Sequence, residues 1–310
     1  MIRLSEARKN KLISWIFSKQ NKDGGFAFPY PLPSMSSATF YAVSSLKMLQ
    51  VEVPNKNKTI KYLLNLQSAN GKYYSIYTAY FSIKALSCFN LIPKNPAGAV
   101  KYILEYIARW KKISKYYMQV ASPLETICYS VEILTLLGYK KGLGEISKLV
   151  LKFLNDDGGF GIRNNSEIIT TYFALFTLHL IGYSLEKLRK TVSFIKKCQN
   201  PDYGFASTPR VYSHFIEDTY YGIKSLELFN EKIDKPKETF KFILKCQNED
   251  GGFSRSTGGG CSTLENCFYA VHILDSLSKY KIKCKRNLVK KNVYVQGLGF
   301  EPRKALNKRL

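Results

Sequence analysis

The sequence predicts an all-α protein built from repeated pairs of helices, and three observations carry that reading. The first is a recurring phrase. It reads Gln20-Asn21-Lys22-Asp23-Gly24-Gly25-Phe26, then Asn155-Asp156-Asp157-Gly158-Gly159-Phe160 after Leu154. It returns as Cys198-Gln199-Asn200-Pro201-Asp202-Tyr203-Gly204-Phe205 and as Cys246-Gln247-Asn248-Glu249-Asp250-Gly251-Gly252-Phe253. The second is spacing: Gln199 and Gln247 are 48 residues apart, and a weaker copy, Gln67 to Tyr73, begins 47 after Gln20. A fixed period of this length marks a repeat architecture. The third is a second signature about a dozen residues after each phrase: Thr39-Phe40-Tyr41-Ala42, Thr171-Tyr172-Phe173-Ala174, Thr219-Tyr220-Tyr221-Gly222 and Cys267-Phe268-Tyr269-Ala270. Each opens a mostly apolar run, the mark of a buried helix start. The Asn/Asp-Gly-Gly core supplies positive φ at little steric cost, ending one helix and reversing the chain into the next.

Taken in order, residues 1–19 read as a first polar helix holding Trp15, Ile16 and Phe17. Pro29-Tyr30-Pro31-Leu32-Pro33 cannot be helical, so an extended insert follows the first turn. A second helix is expected from Ser36–Thr39 to about Gln50, and a second repeat over roughly 55–90, turned at Asn70-Gly71. The third repeat is degenerate: 98–112 is helical and basic, the glycine turn is lost in Ile113 to Tyr117, and an apolar helix resumes at Leu124. Gly158-Gly159, Gly204 and Gly251-Gly252 turn repeats four to six, and Gln296-Gly297-Leu298-Gly299-Phe300 reads as a shortened turn or closing cap. The apolar segments 124–136, 170–182, 218–229 and 266–277 are expected inside and the lysine-rich ones outside. No linker divides the chain, so 1–310 is expected to be one domain.

The chain has 310 residues, enough for a substantial core, with 45% hydrophobic residues, and no run of roughly 18 apolar residues that a membrane span needs. The N-terminal residues lack a signal-peptide core and the seven cysteines lack zinc-finger spacing, which together point to a cytoplasmic protein with reduced thiols. Net charge is +24, and the lysines are scattered singly apart from one dense cluster between Lys279 and Lys291. An anionic partner is one reading and a solvated surface the other; no nucleic-acid signature accompanies the charge. There is no P-loop, dinucleotide fingerprint or nucleophile elbow.

Two groups could carry chemistry. Glu217-Asp218 stand at the start of an apolar helix, where carboxylates cap and favour the helix dipole, or act as an acid pair if burial and mutual repulsion raise one pKa. Glu265 and Cys267, with Cys261 nearby and His272 further along, offer a donor set suited to zinc, although Cys267 and His272 fall on different faces of a regular helix. His179 and His272 also read simply as core histidines. Cys198 and Cys246 share one repeat position, which favours packing over chemistry.

The phrases CQNPDYGF and CQNEDGGF, with their Thr/Cys-aromatic-Tyr-small helix starts, resemble the repeats of protein prenyltransferase β subunits and the related repeats of squalene–hopene-type cyclases. The resemblance spans residues 1 to about 280 and implies an α/α toroid, a double ring of about six helical hairpins. It further implies an aromatic pocket for an isoprenoid or isoprenoid diphosphate at the barrel's mouth, and a helical α-subunit-like partner. The 22 Tyr and 19 Phe agree with such a lining. Prenyltransferase β subunits hold zinc with Asp-x-Cys at one inner helix start and His at the next. Here Glu265-Asn266-Cys267 is the nearest match and no histidine follows in a later repeat. Counted back from the helix end, Asn266 and Phe268 take those places instead, and the loop from Phe253 to Glu265 is longer than the family's. The cyclases use an Asp-x-Asp-Asp-Thr acid, of which Glu217-Asp218-Thr219 matches the last three positions with Glu for Asp. The expectation is thus an isoprenoid-binding, prenyltransferase-like protein with a degraded zinc site: no cofactor, or zinc at Glu265, Cys267 and His272. The alternatives are a cyclase using Glu217 and Asp218 as Brønsted acid, and a non-catalytic toroid that binds a lipid or protein.

Overall fold

The computed structural model describes residues 4–117, 123–200 and 204–285, without side chains for 110–117 and 279–285. The basic cluster beyond Lys279 and the 296–300 segment therefore lie outside the described side chains. Twelve α-helices follow one another: α1 (Glu6–Phe17), α2 (Ser36–Met48), α3 (Lys56–Asn65), α4 (Ile76–Cys88), α5 (Pro96–Tyr117), α6 (Leu124–Leu136), α7 (Ile146–Val150), α8 (Ile168–Leu180), α9 (Arg189–Lys197), α10 (Ile216–Leu228), α11 (Pro236–Lys245) and α12 (Leu264–Lys285). The strands described are the two-residue pair β1 (Gly161–Ile162) and β2 (Asn165–Ser166).

The even-numbered helices form a closed inner ring. Each packs on the next even-numbered one, and α12 packs back on α2. They are apolar nearly all round because neighbours cover both flanks and an outer helix covers the back. The odd-numbered helices form the outer ring and are amphipathic. On α1 the buried stripe is Leu12, Trp15 and Ile16, and on α11 it is Thr239, Phe242 and Ile243. The outer ring also closes, since Arg8 on α1 donates from Nη1 to Leu244 O and Gln247 Oε1, both at 3.0 Å.

The glycine phrases are the loops between an outer helix and its inner partner. In each, an Asn amide donates to the second glycine position: Asn21 to Gly25 O at 2.8 Å, Asn155 to Gly159 O at 2.9 Å, Asn248 to Gly252 O at 2.9 Å. The first glycine has the expected positive φ, +90° at Gly24, +89° at Gly158 and +94° at Gly251. The second does not, and its reason is space. A Cβ at Gly25, Gly159 or Gly252 would run into the Cβ of Ser34, Ser166 or Ser262, and one at Gly204 into the Thr219 hydroxyl.

Every inner helix from α2 to α10 leaves through a left-handed residue two beyond its last turn: Gln50, Asn90, Gly138, Gly182 and Asn230. A backbone bond closes each exit, such as Val51 N to Leu46 O at 2.9 Å and Tyr139 N to Leu134 O at 2.8 Å. This is a Schellman end, which satisfies carbonyls the helix leaves orphaned. Two expectations need correction. Helix α5 runs through Tyr117, so Ile113 to Tyr117 are helical rather than a lost turn. The inner helices start at Ile168, Ile216 and Leu264, two residues earlier than expected, which places Glu217 and Glu265 one residue inside their helices.

Candidate functional site

The six inner helices are in register, so equal positions along them form layers around the lumen. The sixth residues are Tyr41, Phe81, Tyr129, Phe173, Tyr221 and Tyr269. Their rings meet in a closed collar, with successive centroids 5.4, 5.9, 5.7, 5.4, 5.7 and 6.4 Å apart. The fifth residues thicken it: Tyr80 stacks on Tyr129 at 3.7 Å, and Phe40 meets Phe268 at 5.4 Å. Tyr41, Tyr172, Tyr220 and Tyr221 are half-buried although they sit on inner helices. Burial, reinforced by nearby carboxylates, pushes the phenols of Tyr41 and Tyr129 well up, so they remain neutral donors.

One turn above the collar, at the mouth formed by the helix N-termini, the second-residue layer carries three glutamates. Glu125 accepts from the hydroxyls of Tyr77 (3.0 Å) and Tyr129 (2.8 Å). Glu265 accepts from Tyr41 (2.8 Å) and Tyr269 (2.9 Å). Glu217 pairs with the Arg255 guanidinium, and its second oxygen is buried without a hydrogen-bond partner among the described residues. One turn below the collar the ninth-residue layer is mostly charged or polar. There Lys84 Nζ bonds Glu132 Oε1 at 2.7 Å, Tyr80 OH reaches Glu132 Oε2 at 2.9 Å, and His272 Nε2 faces Ser44 Oγ at 3.3 Å. Glu125, Lys84 and Glu132 were not singled out from the sequence; only alignment of the helix starts puts them on the lumen.

The expected metal set does not assemble. Cys267 is fully buried and its Sγ accepts the Phe253 amide at 3.3 Å. In the other repeats the amides of Phe26, Phe160 and Phe205 donate in the same way to the hydroxyls of Thr39, Thr171 and Thr219. Cys267 thus stands in for a structural threonine, and burial raises its thiol far from the thiolate range. Glu265 points to the mouth phenols, and His272 lies against Phe268, centroids 4.3 Å apart. Cys261 is exposed on the loop. Among the described residues no group of metal-ligating side chains converges. These residues do not fit zinc.

The two carboxyls of the acid pair are held differently but feel each other's charge. Glu217 turns to Arg255 at the mouth. Asp218 is 2% exposed, and its charge is felt by Glu167 ahead of α8 and by Cys198 at the end of α9. Burial, then the charge of Glu217, raises the Asp218 carboxyl to about 7, with Arg255 opposing. Cys198 and Cys246, both buried, are pushed up to about 12 by burial, in keeping with a packing role.

The pattern of the prenyltransferase alpha-alpha toroid domain matches residues 1–92 and 95–304. The chain belongs to this family. No curated protein matches the sequence. Among solved structures, protein geranylgeranyltransferase-I of Candida albicans, complexed with GGPP, superposes with a TM-score of 0.62 at 16% identity, over 88% of this chain and 92% of that one. A type II terpene cyclase from Scytonema, in complex with geranylgeranyl dihydroxybenzoate, gives 0.57 at 12% identity over 88% and 96%. A protein from Actinoplanes gives 0.57 at 11% over 88% and 99%. At these identities the likeness is one of fold. Within the prenyltransferase toroid family this chain is a closed double ring with an aromatic lumen. No helix among its described residues is long and apolar enough to cross a membrane.

Proposed function

We propose that this toroid binds an isoprenoid, free or as its diphosphate, with the apolar chain inside the aromatic lumen. The observation that carries the reading is the collar: every inner helix contributes one ring at the same height, and two of those rings, Tyr41 and Tyr221, are only half-buried. Such rings recognise an unsaturated hydrocarbon through apolar burial and contact with the π-surface. The two structural neighbours seen with geranylgeranyl ligands support it by analogy of fold.

The reading is of binding first. Transfer of the chain to a thiol would need an activated sulfur, and the buried Cys267 with its neighbours does not supply a zinc site to activate one. The helical partner implied by the family would meet the mouth loops, where Tyr30, Leu32, Met35, Tyr74 and Tyr212 are exposed. The test is isothermal titration of the purified chain with geranylgeranyl diphosphate and with geranylgeraniol. Saturable binding of either supports the reading. Absence of binding of both at concentrations up to 100-fold above typical micromolar ligand affinity, on the order of −8 kcal/mol, overturns it.

A second reading is acid-driven cyclisation, favoured by Asp218, whose carboxyl keeps its proton up to about pH 7. Asp218 is buried, so the proton would have to reach the ligand through its neighbour Glu217 at the mouth. Cyclised product from geranylgeranyl substrates, abolished in Glu217→Gln, would establish that reading; product formed equally by the variant would remove it.

A further inference from the structure

We propose that a cavity on the outer ring, between α9 and the connection from α10 to α11, binds a phosphate or diphosphate group. The site is separate from the lumen and does not rest on the isoprenoid reading. It lies at the end of the ring opposite the mouth, where inner helices lead into outer ones. Its volume is about 520 Å³, and Arg189, Val192, Ser193, Lys196, Lys197 and Glu231 line it. On α9, Ser193 follows Arg189 by four residues and precedes Lys196 and Lys197 by three and four, so these side chains share one face of the helix.

This corner departs from the other repeats. Thr59, Thr191 and Thr239 each stand seven residues before the helix-end position held by Leu66, Cys198 and Cys246, which sets α3, α9 and α11 in register. Ser193 then takes the place of Lys61 and Lys241, and Lys196 the place of Leu64 and Leu244. Glu231 is the residue whose amide closes the exit of α10, on Leu226 O at 3.0 Å. At the other exits that residue is Val51, Leu91, Tyr139 or Tyr183. An apolar residue in that place commonly packs on the helix it leaves. Here a short side chain opens the space, and two apolar places have become charged together. Glu231 holds Arg189 Nη1 at 3.0 Å and Lys196 Nζ at 3.2 Å, which fixes two cations beside each other. Arg189 also donates from Nε to Glu186 at 2.9 Å and from Nη2 at 3.1 Å. A guanidinium carries five N–H groups and an ammonium three, so both keep donors for a ligand. Lys197 adds a third cation, and positive charge stays in excess with Glu186 and Glu231 both counted. Such a set suits an oxyanion with several acceptor oxygens.

The test is isothermal titration of the full chain with inorganic phosphate and with pyrophosphate at constant ionic strength. Wild type is compared with Ser193→Lys and with the double variant Lys196→Leu/Glu231→Leu. Ser193→Lys fills the cavity while adding positive charge; the double variant restores the apolar pair and keeps the net charge. Both put back residues that other repeats carry, so both are expected to fold, and thermal melts check that. Wild type should bind at least one of the two anions saturably, and each variant should weaken it by about 10-fold or more. A general attraction to a basic surface would instead be strengthened by Ser193→Lys. No saturable binding of either anion by wild type, or binding that either folded variant retains, overturns the site. Sedimentation with phosphatidylcholine vesicles containing phosphatidate separates the sources of the phosphate. Vesicle binding by wild type that Ser193→Lys loses assigns it to a lipid headgroup, and anion binding without vesicle binding assigns it to a soluble ligand.

Discussion

The amide of Phe253 donates to the buried sulfur of Cys267 across 3.3 Å, in the place that a threonine hydroxyl fills in three other repeats. This bond pins the phenylalanine of the turn to the first turn of the inner helix. Substituting Cys267→Thr should therefore preserve stability or raise it, since a hydroxyl accepts the amide better than a thiol. Cys267→Ala leaves the amide unpaired in the core and should cost about 1–2 kcal/mol. Urea unfolding of the three proteins checks both. Zinc content by elemental analysis should be the same in wild type and Cys267→Thr; one zinc per chain, lost in the variant, would contradict the structural role.

Asp218 makes stability depend on pH in a direction that can be worked out. Its folded-state value is raised to about 7, from a reference value of 3.8. Between those values the unfolded chain releases the proton and the folded chain keeps it. The unfolded state then binds fewer protons, so stability falls as pH rises from about 4 to 7 and levels off above. Asp218→Asn lacks this contribution. The stability of wild type relative to the variant should fall by roughly 2–4 kcal/mol across that window. Denaturant melts at pH 4.5, 6 and 8 test it, and a constant difference would show that Asp218 ionises normally.

Most of the fold was legible because its signals are local. Asn-x-Asp-Gly-Gly-Phe writes the turn, and Thr39, Thr171, Thr219 and Cys267 write the helix starts. The exits were harder. Gln50 and Asn90 hold the same left-handed place as Gly138 and Gly182 but look like ordinary polar residues, so the shared Schellman end is invisible without coordinates. The possible zinc set was read from residue type before register. Cys267 aligned with threonines in the sequence already, and that alignment states its role. Glu125 and Glu132 went unremarked for the converse reason. Single charges in an apolar helix gain meaning only when six helices are set side by side and the lumen appears.

Two glycines with similar backbone separate strain from space. Gly251 has φ +94°, and a Cβ there would strike the backbone of Lys11, across the seam where the outer ring closes. Gly138 has φ +79° with nothing within 4 Å of that Cβ. Gly138→Ala should cost about 1 kcal/mol, the left-handed penalty alone. Gly251→Ala carries the same penalty and must also part α1 from the last turn, so a cost above about 2 kcal/mol is expected. Equal losses in thermal melts would mean that the seam yields without cost.

The Lys84–Glu132 pair joins α4 to α6 inside the lumen, 2.7 Å apart, with side chains 15% and 7% exposed. Lys84 also lies over the Tyr80 ring at 5.2 Å, and Glu132 takes the Tyr80 hydroxyl. Little water reaches either charge, so each depends on the other for solvation. Removing one leaves its partner buried and uncompensated, which costs several kcal/mol, whereas removing both with apolar residues of similar size is often neutral. Glu132→Leu and Lys84→Met should thus each destabilise by about 2–4 kcal/mol, and the double variant by less than either. A double-mutant cycle by urea unfolding measures the coupling directly. Additive losses would show that the two charges are solvated separately.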